Sequence, residues 1–303
     1  MMNVLITGVS GYLGTHLVRH LQQYPVRLFG HSHSKQQVEG VMLLPDLLPA
    51  TLDAHAIEVV VHLAGIAHDL RGVYRDEDYH RVNTQQTISL WSAFQASQAR
   101  TFIFLSSIKA LSDGSPQPLT EESHPAPASP YGLSKLNAER ALTAAPAPGK
   151  KLFIFRPCMI YGGSNKGNLR NLIRFVEWGL PFPLGKFQTN RSFLSVENAC
   201  WVIAQAISDT FPPGTYNIAD DEPISVNDLV RLIAKVKHRP ARVWSVPASW
   251  VATLATIAGK RDAFRKLTTD MVTDTSKLRN ALPAPLPVSI RAGLTSAIQS
   301  GKD

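Results

Sequence analysis

Apolar positions in the first half of the chain follow two alternating patterns. Short continuous runs stand at "NVLIT" (Asn3–Thr7), "VRLFG" (Val26–Gly30), "VMLL" (Val41–Leu44), "EVVVHLAG" (Glu58–Gly65), "TFIFLSS" (Thr101–Ser107) and "KLFIFRP" (Lys151–Pro157). Between them apolar residues recur at helical spacing, as at Leu13, Leu17, Val18 and Leu21. Longer helices are predicted over Tyr79–Ser97 and Pro130–Leu142. Runs that are apolar throughout suit strands covered on both faces, so the pattern predicts an α/β protein built on a parallel sheet.

The second half is less regular. "GTYNIAD" (Gly214–Asp220) reads as a further strand. "SVNDLVRLIAKV" (Ser225–Val236) reads as a helix opened by a capping-box-like pair, Ser225 and Asp228. Proline clusters at Ser115–Pro130, Ala145–Gly149 and Pro283–Pro287 mark loops. No internal repeat is visible. The chain divides near Tyr161, into residues 1–162 and a smaller α+β lobe over 163–303, some of whose segments are expected to return to the sheet.

Composition adds limits. The chain has 303 residues, 44% hydrophobic and 18% charged, enough for a sizeable core. Its formal charge is +8, but no dense Lys/Arg run or stacking motif appears, which argues against a nucleic-acid partner. Two cysteines, Cys158 and Cys200, make no disulfide framework, and a cytoplasmic protein is expected. The chain enters "NVLITG" at once, so a signal peptide is not expected. The apolar stretch Trp250–Gly259 is too short to span a bilayer, so stable membrane insertion is not expected; it reads as a packed or partner-contacting helix.

Three glycines, Gly8, Gly11 and Gly14, lie between the first strand and the first helix. Glycines there allow a tight turn and close backbone approach to a pyrophosphate, and the helix N-terminus supplies free N–H groups. The expected ligand is a dinucleotide, and the expected fold a doubly wound, Rossmann-type sheet. In that architecture a carboxylate at the end of the second strand usually accepts from the NAD ribose. Here the position reads Gly30-His31-Ser32-His33-Ser34-Lys35. Nothing there repels a 2′-phosphate, and His31, Ser32, Ser34 and Lys35 supply partners for one, so NADP(H) is favoured and NAD(H) remains possible. Asp46, after the third strand, is placed to meet the adenine or to cap a helix. A metal at His31-x-His33 would lack further ligands, and none is expected.

"SPYGLSK" (Ser129–Lys135) sets Tyr131 and Lys135 one turn apart on a helix. A nearby ammonium favours phenolate over a phenol that ordinarily titrates near pKa ~10. Tyr131 is therefore a candidate acid/base, with Ser107 at the end of the fifth strand converging on the same crevice.

At this point the chain resembles a family. "TGVSGYLG" (Thr7–Gly14), "HLAG" (His62–Gly65), "RVNTQQT" (Arg81–Thr87), "FLSSIKAL" (Phe104–Leu111), "SPYGLSK" and "RPCMIYG" (Arg156–Gly162) are similar, in order, to the extended short-chain dehydrogenase/reductases. "GNLRNLIRFVEWGLPFPLG" (Gly167–Gly185) and "NRSFLSVENA" (Asn190–Ala199) resemble the nucleotide-sugar 4-epimerases and 4-ketoreductases of that group. The resemblance implies that Ser107 binds the reacting sugar oxygen, Tyr131 exchanges its proton, and Lys135 lowers the tyrosine pKa and holds the nicotinamide ribose. It implies a cofactor cradle of Gly8, Gly11, Tyr12, Leu13 and Gly14. Leu63, Ala64, Gly65, Asn83, Ser106, Pro157 and Cys158 would lie along the cofactor, with Asp46 and Leu47 near the adenine. Asn168 and Arg191 would contact the substrate's diphosphate. Family members often dimerise through two helices of the dinucleotide-binding lobe, so a homodimer is expected, with the helix from Pro130 a candidate contact.

The same resemblance narrows the reaction. Family dehydratases carry an Asp-Glu pair after the active-site hydroxyl residue, whereas Ile108 and Lys109 follow Ser107 here. A UDP-sugar 4-epimerase with tightly bound NAD and an NADPH-dependent 4-ketoreductase both remain, and the absent acid favours the reductase. A dinucleotide sensor without catalysis is disfavoured because Ser107, Tyr131 and Lys135 are all present.

Overall fold

The computed structural model describes residues 1–32, 37–67, 73–163, 168–257, 259, 264 and 268–300. The elements of the first half are β1 (Met2–Thr7), α1 (Tyr12–Leu21), β2 (Val26–His31), β3 (Val41–Leu43), α2 (Pro49–Ala54), β4 (Val59–His62), α3 (Asp76–Tyr79), α4 (Gln86–Ala96), β5 (Thr101–Leu105), α5 (Pro130–Ala144) and β6 (Lys151–Pro157). The second half adds β7 (Met159–Tyr161), α6 (Asn168–Glu177), β8 (Asn190–Arg191), β9 (Phe193–Ser195), α7 (Val196–Ile207), β10 (Gly214–Ile218), β11 (Ile224–Ser225), α8 (Val226–Val236) and α9 (Ala248–Ile257). Two further helices follow, α10 (Ser276–Ala281) and α11 (Ile290–Ser300).

Seven strands form one parallel sheet in the order β10-β6-β5-β4-β1-β2-β3. Alternate residues of each strand enter opposite cores. Val4, Ile6, Val59, Val61, Ile103, Phe153 and Phe155 face α1 and α7. Leu5, Val60, Phe102, Phe104 and Ile154 face α2, α4 and α5. This double coverage is why the strands read as unbroken apolar runs. Each fully buried phenylalanine, such as Phe94, Phe102 or Phe153, contributes about 1.5–3 kcal/mol of transfer free energy.

The chain runs outward in opposite directions on the two sides of β1, through β2 to β3 and through β4 to β6. The crevice at the C-terminal ends of β1 and β4 is where a doubly wound sheet binds its ligand. Four expected strands stop early: β3 at Leu43, β4 at His62, β5 at Leu105 and β10 at Ile218. Beyond β4, Leu63 and Ala64 turn in to bond the β1 end, with Leu63 N donating to Thr7 O (3.2 Å). The expected helix over Tyr79–Ser97 begins at Asp76 and carries a wide π turn over His80–Gln85. Buried Asn83, Thr84 and Thr87 tie this segment to neighbouring ones, at Ile66, Ser134 and His62 respectively.

β10 pairs with β6 at the sheet edge, although α6, β8, β9 and α7 lie between them in sequence. A second core gathers α6, α8 and α11. A buried carboxylate stitches this region together. Asp220 accepts from the Tyr161 hydroxyl (2.7 Å), Ser195 N (2.9 Å) and Asn198 Nδ2 (2.7 Å). Burial, the largest influence, holds the Asp220 carboxyl above the usual carboxylate range.

Candidate active site

The glycine turn closes on itself. Gly8 sits at φ +70°, and a Cβ there would stand 2.8 Å from Ala64 N. A Cβ on Gly14 would stand 2.3 Å from Gly8 O, and Gly11 N donates to Gly8 O (2.9 Å). No side chain caps α1, and no acid occupies its first turn, so its leading N–H groups face the crevice without an internal anion. That cradle fits a pyrophosphate. Leu13 and Gly14 are buried in α1, and the Tyr12 hydroxyl is buried without a hydrogen-bond partner. Burial, then Glu197 and Cys200, push the Tyr12 phenol up to about 12.

Ser32 meets the glycine turn directly, its Oγ 2.6 Å from Ser10 Oγ. His31 Nδ1 lies 3.2 Å from Leu44 O. Ser34 and Lys35 lie outside the described residues. The Asp46 carboxylate accepts from Leu48 N (3.1 Å) and from Thr51 Oγ1, ahead of α2. Those bonds hold it below the usual carboxylate range and tie it to the start of α2, whose N-cap position is Leu48. Leu47 packs partly buried against the core on that side.

A buried relay fixes the floor between β1 and β4. Ala64 N donates to Thr7 Oγ1 (3.3 Å), and Thr7 Oγ1 lies 2.6 Å from His62 Nδ1. His62 Nε2 lies 2.9 Å from Thr87 Oγ1, which itself donates to Asn83 O (2.8 Å). The Thr87 proton is committed to that carbonyl, so His62 must donate from Nε2 and accept at Nδ1. Complete burial, reinforced by Lys135, lowers the His62 pKa to about 3, which keeps this neutral tautomer. Asn83 binds both sides of the next turn: its Oδ1 accepts from Ile66 N (2.8 Å), while Nδ2 donates to Ile66 O (2.9 Å) and Ser134 Oγ (3.0 Å). It thereby latches the Gly65 turn to α5.

Ser107, Tyr131 and Lys135 converge beyond β5. Ser107 opens a short 3-10 turn, and its Oγ accepts from Lys109 N (3.2 Å). Ser129 caps α5, with Pro130 in its first turn. Gly132 brings the two segments together, since a Cβ there would stand 2.3 Å from Lys109 O. The Ser107 side chain acts on the Tyr131 phenol to lower its pKa, and the Tyr79 ring meets the Tyr131 ring edge-on at 6.4 Å. Lys135 is buried, with Nζ donating to Leu105 O (2.9 Å) and lying 4.8 Å from the Phe104 ring centroid.

The electrostatics correct one expectation. Tyr131 is raised, not lowered: burial dominates, Tyr79 adds to it, and Ser107 opposes both. Lys135, one turn along α5, turns its ammonium to Leu105 O. Burial lowers Lys135 itself to about 8, partly offset by Glu139. In this state the proton rests on the phenol.

Ser106 serves the layer beneath. Its hydroxyl donates to Glu139, which also receives Arg156 Nε (3.0 Å) and Nη2 (2.6 Å). Pro157 ends β6, and Cys158 N donates to Ile218 O (3.1 Å). Burial, ahead of Asp220, pushes the Cys158 thiol well up, so it is a packed group and not a reactive one. Asn168 begins α6. Arg191, in β8, is half-buried; its Nη2 donates to Thr269 O (3.3 Å), and burial lowers it while Asp270 opposes. Motif spacing passes over Gly132, His62, Glu139 and Asp220, whose roles rest on contacts far apart in sequence.

Known proteins share this sequence pattern and this fold. UDP-glucose 4-epimerase of Vibrio cholerae is 29% identical, over 98% of this chain and 95% of its own length. GDP-6-deoxy-D-mannose reductase of Pseudomonas aeruginosa is 26% identical, over 81% of this chain and 83% of its own. The crystal structure of UDP-glucuronic acid 4-epimerase from Bacillus cereus in complex with NAD shares the fold with a TM-score of 0.78, at 21% identity and 99% coverage of both chains. The model of the NAD-dependent epimerase/dehydratase family matches residues 4–219, and the chain belongs to that family.

Proposed function

We infer that this enzyme reduces the C4 keto group of a nucleotide-linked sugar with NADPH. The substrate class that "NRSFLSVENA" suits best is a UDP-4-keto-6-deoxy-N-acetylhexosamine destined for surface polysaccharide. The reading rests on two features of one sheet: Ser107, Tyr131 and Lys135 gathered beyond β5, and a β2 end that reads His31-Ser32 and carries no carboxylate. When bound, the dinucleotide supplies the hydride to C4. The Ser107 hydroxyl donates to O4 and orients it, and Tyr131 gives O4 its proton. Burial suits Tyr131 to that donation, since it keeps the phenol protonated until charge develops on O4. Gly8, Gly11 and Gly14 hold the pyrophosphate, while Arg191 and Asn168 are assigned to the substrate diphosphate. A cytoplasmic homodimer belongs to the same reading, with exposed Ile88 on α4 and Leu133 on α5 at the contact.

A second reading, a UDP-hexose or UDP-N-acetylhexosamine 4-epimerase, is favoured by the nearly full-length likeness to UDP-glucose 4-epimerase. One experiment separates them. Purified protein is expected to oxidise NADPH when given a UDP-4-keto-6-deoxy-N-acetylhexosamine. NAD released on denaturation, together with UDP-hexose C4 interconversion without added cofactor, supports the epimerase instead.

A further inference from the structure

Three of the chain's five tryptophans stand out of the second lobe: Trp178 (66% exposed), Trp244 (57%) and Trp250 (68%), with Leu180 (47%) beside them. The backbone draws them together. Trp178 follows α6, and four residues on Phe182 N donates to Arg242 O (2.8 Å), while Trp244 N donates back to Phe182 O (2.8 Å). Arg242 Nη1 also donates to Gly179 O (2.9 Å). Trp250 lies in the first turn of the following helix, α9.

Charge is concentrated in the same place. Residues 168–187 and 231–250 hold eight Lys/Arg and one acid, Glu177, so they carry seven of the chain's eight net positive charges. α6 and α8 pack side by side, and Glu177 is paired with Lys237 (3.0 Å). Lys235, Arg239 and Arg242 are exposed, Arg231 is exposed but paired with Asp228 just before it (2.9 Å), and Arg174 lies 5.5 Å from the Trp178 ring centroid. The ten residues of α9, by contrast, contain no charge; its exposed positions include Ser249, Trp250, Thr253 and Thr256.

We propose that this face docks reversibly on an anionic phospholipid bilayer. Indole rings partition to the headgroup boundary, an uncharged helix tolerates that boundary, and flanking Lys/Arg meet lipid phosphates. No helix among the described residues is long and apolar enough to cross a membrane, so the contact is peripheral. A second copy of the chain is a poorer occupant, because a two-fold contact would press one strongly basic surface against another. A nucleic acid is also poorer, since the uncharged α9 face offers its phosphates no partner.

The test is co-sedimentation with phosphatidylcholine vesicles, with and without phosphatidylglycerol, at low and high salt. The protein is expected to pellet only with the anionic vesicles, less so as salt rises. Lys235→Gln/Arg239→Gln is expected to weaken partitioning about tenfold or more. Trp244→Ala/Trp250→Ala is expected to reduce both partitioning and fluorescence quenching by brominated lipid. Unchanged dinucleotide titration of each variant certifies its fold, and that readout stands apart from the reaction assigned above. Equal partitioning to both vesicle types, or partitioning indifferent to all four substitutions, overturns the proposal. So does conversion of a dimer to a monomer by the tryptophan variant, or tighter binding to single-stranded RNA than to anionic vesicles.

Discussion

Arg156→Met tests the layer beneath the catalytic serine. Arg156 and Glu139 are both nearly buried, with side-chain exposures of 10% and 5%. Arg156 gives Glu139 three bonds, Nε to both oxygens and Nη2 to Oε2, and Nη1 donates to Glu121 O (3.2 Å). Methionine fills much of the volume but leaves a buried carboxylate with the Ser106 hydroxyl as its hydrogen-bond partner and Lys135, itself lowered by burial, as the neighbouring cation. Stranding one member of such a pair costs about 3–5 kcal/mol, against a total stability of about 5–15 kcal/mol. At a urea slope of about 3 kcal/mol/M, the midpoint falls by roughly 1 M or more. Glu139→Leu strands the guanidinium instead. The double variant Glu139→Leu/Arg156→Met removes both charges and should be more stable than the sum of the singles implies, by about 2 kcal/mol or more. Urea melts of the four proteins decide it. Additive losses, or an Arg156→Met loss under about 1 kcal/mol, would refute the claim that this pair is a buried, mutually dependent unit.

Three more outcomes are expected. Tyr131→Phe should lower turnover by about 10²–10⁴-fold with dinucleotide affinity preserved; near-normal turnover would remove Tyr131 from the chemistry. Lys135, lowered to about 8, has already lost its proton where the unfolded chain still holds one, up to its ordinary value of 10.5. Stability therefore rises with pH across that window, by up to about 3 kcal/mol, and Lys135→Met should flatten the rise; parallel pH–stability curves contradict it. Gly8→Ala puts a side chain at φ +70° and 2.8 Å from Ala64 N. The backbone term alone is about 1–2 kcal/mol, so melting temperature and dinucleotide affinity should both fall; binding as tight as wild type argues against the cradle.

Much of the dinucleotide-binding half is legible in the order of apolar runs, because a strand covered on both faces has no polar side to hide. The glycine turn and the Tyr131–Lys135 spacing are legible for a related reason: both are local. The direction of the Tyr131 shift is not. An i, i+4 pair records proximity along a helix, but not that Lys135 is turned to Leu105 O or that Tyr79 lies against the phenol ring. Gly132 sits within the motif, yet its reason is the Lys109 carbonyl on another segment. Ser106, Glu139 and Arg156 are scattered along the chain and join only in space. Asp46 shows the converse limit: one residue fits a ligand contact and a helix cap alike, and only coordinates show the Leu48 and Thr51 bonds.

The edge position of β10 has a consequence for how the protein is made. β6 pairs with β5 on one side and with Gly214–Ile218 on the other. On a ribosome, the growing chain must keep β6 as a bare edge while all of α6, β8, β9 and α7 is synthesised. Its Phe153 and Phe155 pack against Phe211 and Tyr216, which also arrive late. A nascent chain stalled before residue 211 would thus present an unpaired strand with two exposed phenylalanines, a surface that chaperones bind and that neighbouring nascent chains can extend.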